Sequence, residues 1–116
     1  MKRQIAERGG RRAERLAAWW LRLKGWRILA VRAKTPVGEV DLIARRGRTL
    51  AFIEVKARGS EEEAGFALDE WRLRRVARAA EALAPRYARA GDDIRIDAMF
   101  IVPRRLPRHL ANVWHG

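Results

Sequence analysis

Two strand-forming runs, Gly38 to Arg45 and Thr49 to Ala57, are separated only by Arg46-Gly47-Arg48. That spacing predicts a hairpin closed by a two-residue loop at Gly47-Arg48, whose leading glycine suits a type II′ turn. A loop this short fixes the register, because a one-residue slip would move every side chain to the opposite face. The second run carries Leu50, Phe52, Ile53 and Val55. It is apolar on both faces and is therefore expected at the centre of a sheet.

The flanking segments supply the remaining elements. Residues 1–10 are basic, glycine-containing and aperiodic, and are expected to form a flexible N-terminus, leaving 11–116 as one domain. From Arg11 to Lys24, Ala13, Leu16, Ala17, Trp20 and Leu23 recur at helical spacing, and Gly25 stops the helix. Trp26 to Arg32 reads as a first strand, ended by Lys34-Thr35-Pro36. Arg58 to Gly65 reads as a polar, mobile loop. A helix from about Asp69 to Arg89 follows, with Leu73, Val76, Ala80, Leu83 and Tyr87 as its buried stripe and Pro85 expected to kink or shorten it. Ile94 to Val102 gives a fourth strand. The order helix, three strands, helix, strand predicts an α/β fold with a mixed central sheet, its third and fourth strands parallel across a right-handed helical crossover.

Composition narrows the function. There is no cysteine, and the two histidines, His109 and His115, sit near the C-terminus, which argues against the usual zinc sites. No apolar run approaches the roughly 18 residues of a membrane span, so a cytoplasmic location without membrane partners is the expectation. The net charge of +12 favours polyanions through long-range attraction and counterion release, and so favours nucleic acid as a partner. A basic, solvated surface would carry the same charge.

The hairpin strands are unusual in their acids, which are depleted in strands and most of all in buried ones. Glu39 and Asp41 lie two apart, as do Glu54 and Lys56. The Gly47-Arg48 loop would set Asp41 opposite Glu54 and Glu39 opposite Lys56, with Cβ atoms about 5 Å apart. Opposed carboxylates repel unless a cation lies between them. Mg²⁺ takes one or two carboxylates together with waters and substrate phosphate. A lysine beside it can orient a water or neutralise a phosphate in the transition state, which is the chemistry of metal-assisted phosphodiester hydrolysis. The competing reading is a solvated sheet face, with Glu39–Lys56 a surface ion pair of about 0–1 kcal/mol. Charges that end a core strand tip the balance towards function.

Gly38-Glu39-Val40-Asp41-Leu42-Ile43-Ala44, followed by Phe52-Ile53-Glu54-Val55-Lys56-Ala57-Arg58, resembles the YraN family of small bacterial proteins. That family is assigned to the restriction-endonuclease-like, PD-(D/E)XK superfamily and is similar in outline to archaeal Holliday-junction resolvases. The resemblance runs from about Gly10 to Val113, through Arg12-Ala13-Glu14, Ala79-Ala80 and Arg95-Ile96-Asp97. It implies a Mg²⁺- or Mn²⁺-dependent endonuclease on DNA, branched DNA included, with a homodimer as one assembly to expect. It further implies that Asp41 and Glu54 bind metal with the Val55 carbonyl as a further ligand, that Lys56 is the catalytic lysine, and that Glu14 lies near the metal. Glu39 matches the motif as an accessory position. Relatives carry an Arg-Asn pair where this chain reads Val31-Arg32-Ala33, and a Lys-Gln pair where it reads Trp71-Arg72-Leu73-Arg74. A nuclease fold that binds nucleic acid without turnover, and a structural partner in a larger assembly, are the alternative functions.

Outside the motif, Arg58, Arg72, Arg75 and Arg78 are the candidates to track a phosphate backbone. Asp97, two residues after Arg95, reads as a structural ion pair. Trp20 and Trp26 read as core, whereas Trp71 and Trp114 are the candidates for exposure and base stacking.

Overall fold

A computed structural model describes residues 2–116, with side chains from Gly10 onward. Its elements are α1 (Lys2–Leu23), β1 (Arg27–Thr35), β2 (Gly38–Arg46), β3 (Thr49–Ala57), α2 (Glu61–Ala67), α3 (Glu70–Tyr87), β4 (Asp93–Ile101) and β5 (Arg108–Leu110). The flexible stretch expected over residues 1–10 falls on positions where Met1, and the side chains before Gly10, lie outside the described residues. The five strands form one sheet in sequence order. β1, β2 and β3 are antiparallel neighbours, β3 and β4 run parallel, and β5 returns antiparallel on β4. The expected mixed α/β sheet with β3 at its centre is present. Arg46 pairs with Thr49, so the loop is Gly47-Arg48 with positive φ at Gly47 alone of the two, as a type II′ turn requires.

Each sheet face has its own core. Ala17, Ala18 and Leu21 of α1, together with Trp26, pack on Leu42, Ala44, Ala51, Ile53 and Met99. Leu73, Val76, Ala79, Ala80 and Leu83 of α3 pack on Val40, Ile43, Leu50, Phe52 and Ile96 of the other face. The α1 stripe differs from the expected one. Ala13, Ala17 and Leu21 are buried, while Leu16 and Leu23 are exposed, because small residues let the helix lie close to the sheet. Trp26 is buried as expected, Trp20 is only half-buried against the core, and Trp114 packs against the α3 cluster.

Two elements escaped the sequence reading. Where a mobile loop was expected after Arg58, Ser60 caps α2 by accepting the Glu63 N–H, and the Glu63 carboxylate accepts the Gly59 N–H in return. Three glutamates in the first turn also suit the positive end of the helix dipole. β5 is a three-residue edge strand held by Asp97. That fully buried carboxylate accepts hydrogen bonds from Arg95 and the Asn112 N–H and is 2.7 Å from His109 Nε2. Pro85 sits in the last turn of α3, and the helix ends two residues later.

The α3 layer approaches β2 very closely at Gly38. A Cβ there would lie 2.9 Å from the Arg75 carbonyl oxygen, which is backbone and cannot swing aside. Gly38→Ala should therefore push α3 off the sheet and cost about 1–3 kcal/mol, read as a lower urea midpoint with an unchanged slope. Asp97 makes a second test. Burial raises its pKa, but the hydrogen bonds from His109, Arg95 and the Asn112 N–H together hold it below the ordinary aspartate value. A carboxylate with a lowered folded pKa contributes stability above its unfolded pKa of about 3.9 and loses it as pH falls below that. Asp97→Ala should cost about 3 kcal/mol at pH 7, with the difference from wild type narrowing in acid denaturation series below pH 4.

Candidate metal and nuclease site

β2 and β3 pair from Arg46↔Thr49 as far as Leu42↔Ile53, and there the ladder stops. The same register carried one residue further sets Asp41 against Glu54, as the loop length requires. In place of the next rung, Asp41 Oδ2 accepts the Val55 N–H at 2.7 Å. Side-chain alternation along β2 also changes here. Val40 and Ile43 both pack in the α3 core, while Leu42 and Ala44 pack in the α1 core. The strand thus twists out of step at Asp41, and the acid enters the gap between the parting strands.

Asp41 and Glu54 lie close enough for each to feel the other's charge. Burial foremost, then a side-chain hydrogen bond with Glu54 and its charge, push Asp41 up to about 8, against the lowering effect of the Val55 N–H and Lys56. Lys56 Nζ lies 3.4 Å from Glu54 Oε1, and the two side chains are 11% and 13% exposed. Both side chains are thus largely withdrawn from solvent, unlike those of a solvated sheet face, and Lys56 turns to Glu54 rather than to Glu39. Glu54 is partly compensated by the Lys56 ammonium group, while the Asp41 carboxyl is held well above the usual carboxylate range.

Glu14 reaches this corner from α1. Its side chain is 12% exposed and receives a 2.6 Å hydrogen bond from Arg32 Nε. Burial raises the Glu14 pKa, the bond to Arg32 lowers it, and the charge of Asp41 raises it again, with a net upward shift. Arg32 stands across from Asp41 on β1, between the flanking pairs Val31↔Leu42 and Ala33↔Val40. It adopts a left-handed φ of 53°, uncommon for a non-glycine residue and costing of order 1 kcal/mol or more. The sequence pointed to neither the strained backbone nor the ion pair of Arg32, since a left-handed arginine within a strand has no compositional mark.

Two cavities meet at the end of β3. One, of about 410 Å³, lies against α1 and is lined by Glu14, Asp41, Glu54, Val55, Lys56 and Arg58, with Gly10, Ala13 and Ala57. The other, of about 250 Å³, lies against α3 and is lined by Glu39, Glu54, Lys56, Trp71, Arg72, Arg75 and Val76. Glu54 and Lys56 belong to both. Of the expected residues, the fold thus gathers Glu14, Asp41, Glu54, Val55, Lys56 and Arg58 in the first cavity, and Glu39, Arg72 and Arg75 in the second. Arg78 is exposed further along α3, outside either lining.

The donor set suits a hard divalent cation. Among the described residues no three Asp, Glu, His or Cys side chains converge tightly enough to form a complete protein cage. Mg²⁺ does not ask for one, since it retains waters and takes one or two carboxylates with substrate phosphate. Asp41 and Glu54 supply that number in a place where their charges otherwise need neutralising.

The pattern of uncharacterised protein family UPF0102 matches residues 13–101, which contain every one of these acids together with Lys56. The chain belongs to the UPF0102 family. UPF0102 proteins of Sphingopyxis alaskensis and Rhizorhabdus wittichii are 67% and 64% identical to it over 114 and 115 residues. Those alignments cover 98% and 99% of this chain and 98% of each relative. Hjc, a Holliday junction resolvase from the archaeal hyperthermophile Archaeoglobus fulgidus, matches with a TM-score of 0.60 over 86% of this chain and 74% of its own, at 21% identity. This UPF0102 chain therefore shares with Hjc a restriction-endonuclease-like α/β fold, as the family resemblance implied.

The charge balance at Asp41 has a measurable consequence in the metal-free protein. A carboxyl whose folded pKa is raised contributes stability below its unfolded pKa, and that stability is lost as pH rises through the folded value. Wild type in chelator should lose stability between about pH 4 and pH 8, by at most about 1.4 kcal/mol per pH unit. Asp41→Asn, which keeps an acceptor for the Val55 N–H, should flatten that slope and be the more stable protein at pH 8 in thermal melts.

Proposed function

We propose that this protein is a divalent-metal-dependent endonuclease that hydrolyses DNA phosphodiester bonds, branched DNA included. The observation that carries the reading is the trio where β2 and β3 part: Asp41 seated on the Val55 N–H and Glu54 beside it, both half-buried, and buried Lys56 3.4 Å from Glu54. Such an arrangement places two acids where a divalent cation would relieve their repulsion, beside a lysine that could neutralise a phosphate. The likeness to Hjc, a Holliday junction resolvase, supports the reaction class and the choice of DNA. The net charge of +12 supports a polyanionic substrate.

In this reading Asp41, Glu54 and the Val55 carbonyl hold Mg²⁺ or Mn²⁺, with Glu14 as an outer acid. When bound, the cation activates water and offsets charge on the phosphate oxygens. Lys56 orients the attacking water and neutralises the phosphate as a water oxygen adds to phosphorus and the P–O bond to the leaving strand breaks. Asp41, held by the Val55 N–H, keeps its orientation without reorganising. Arg32 holds Glu14 towards the same corner. Arg58 borders the reacting phosphate, Arg72 and Arg75 follow the strand along α3, and Arg78 extends that path. Glu39 closes the far side of the α3 cavity as an accessory residue. A homodimer would give two such sites for a two-stranded or branched substrate.

Nicking of supercoiled, branched and single-stranded DNA in Mg²⁺ or Mn²⁺ tests the reading. Asp41→Ala and Glu54→Ala should abolish cleavage and metal binding by calorimetry. Lys56→Ala should lower the cleavage rate roughly 10²–10³-fold while leaving DNA binding in place. Salt-sensitive DNA binding indifferent to chelator and to all three substitutions would identify a non-catalytic binding protein instead.

A further inference from the structure

The α3 cavity contains a feature that phosphodiester hydrolysis does not call for. Trp71 lies at the start of α3 and is 59% exposed, although it lines a cavity. The Arg75 guanidinium carbon sits over its ring, 5.0 Å from the centroid. An indole this exposed leaves a large aromatic surface in water. Its guanidinium neighbour fixes the ring plane and adds positive charge beside it. Arg72 lines the same cavity, and Glu54 and Lys56 form the wall shared with the candidate metal site. The cavity is thus aromatic and cationic at its mouth and opens directly on the residues assigned to the scissile phosphate.

We propose that Trp71 is a stacking platform for one unpaired base of the DNA strand whose backbone runs past Lys56. The proposal rests on the nuclease reading and deepens it by naming the substrate class: DNA with at least one unpaired nucleotide beside the cleaved bond, as at a flap or a bubble. A base within a duplex is stacked on its own neighbours and has no free face to offer the indole. An unpaired base can, and each stacked base adds affinity irrespective of sequence. Arg72 and Arg75 supply the charge that accompanies the flanking phosphates. Gly38 keeps this face of α3 close to β2, so the platform is held at a fixed distance from β3.

The test uses the full chain in chelator with two fluorescent DNA probes: a duplex carrying a three-nucleotide bubble and the same duplex fully paired. A second bubble probe carries 2-aminopurine at an unpaired position. Trp71→Ala should weaken bubble binding about tenfold, as loss of one stacked base does, with little change for the paired duplex, and Trp71→Phe should restore most of it. Wild type should quench 2-aminopurine on binding and Trp71→Ala should not. Equal weakening on both duplexes, unchanged bubble binding, or no quenching in wild type would overturn the proposal. So would sedimentation showing a wild-type dimer that Trp71→Ala dissociates, since Trp71 would then be a subunit contact. Cleavage is read separately in Mg²⁺. Trp71-dependent quenching without cleavage keeps the platform and discards the nuclease, while cleavage with Trp71-independent binding does the reverse.

Discussion

The hydrogen bond from the Val55 N–H to the Asp41 carboxylate stands where a ladder bond of the β2–β3 hairpin would otherwise be. A buried N–H must be satisfied, and had the ladder simply ended, Val55 would have carried an orphan donor in the middle of the sheet. Asp41 removes that cost and in doing so lets the two strands diverge. The divergence makes room for a cavity at the end of a central strand, where a regular sheet would have none. The same bond fixes the Asp41 rotamer. One interaction therefore satisfies the backbone, opens the site and positions an acid within it.

The surrounding structure absorbs the consequences. Two acids facing each other in a partly buried gap are unfavourable, and the chain distributes compensation around them. Lys56 pairs with Glu54, Arg32 pairs with Glu14, and burial with the neighbouring Glu54 pushes the Asp41 carboxyl up to about 8. Arg32 takes a left-handed backbone to do so. Strain and like charge at one corner are tolerated because the two cores are packed around fully buried Phe52, Leu42, Ile43, Leu50 and Ile53. A hairpin edge alone would not bear that load.

Much of this was readable from residue order, and the reason is geometric. A two-residue loop at Gly47-Arg48 leaves one register, and that register alone puts Asp41 across from Glu54. The apolar run through Leu50, Phe52 and Ile53 marks a central strand, and a parallel partner follows from the crossover through α3. What was not readable involves contacts far apart in sequence or set by backbone conformation. The Arg32–Glu14 bond joins residues 18 apart through a conformation no composition announces. Asp97 gains His109 only because a short edge strand forms, and that strand forms because Asp97 is there to hold it. α2 is a different case. Ser60-Glu61-Glu62-Glu63 is a helix-start signature in plain view, outweighed in the reading by two glycines and the local polarity.

The position of Glu54 and Lys56 between two cavities bears on how such a site would choose its substrate. The α1 cavity is acidic, with Glu14 and Asp41, whereas the α3 cavity brings Trp71, Arg72 and Arg75. In the proposed function, a phosphate at Lys56 would therefore meet the acids proposed to hold a cation on one side and the groups proposed to hold the strand on the other. Chemistry would be confined to the first side and recognition to the second, joined through the shared Glu54–Lys56 wall. Changes along the exposed start of α3 could alter which strands are accepted without touching Asp41 or the Val55 N–H. That separation fits a fold in which the acids are fixed by a backbone hydrogen bond, while the arginines and Trp71 lie on a helix surface with only Gly38 dictating how near it stands.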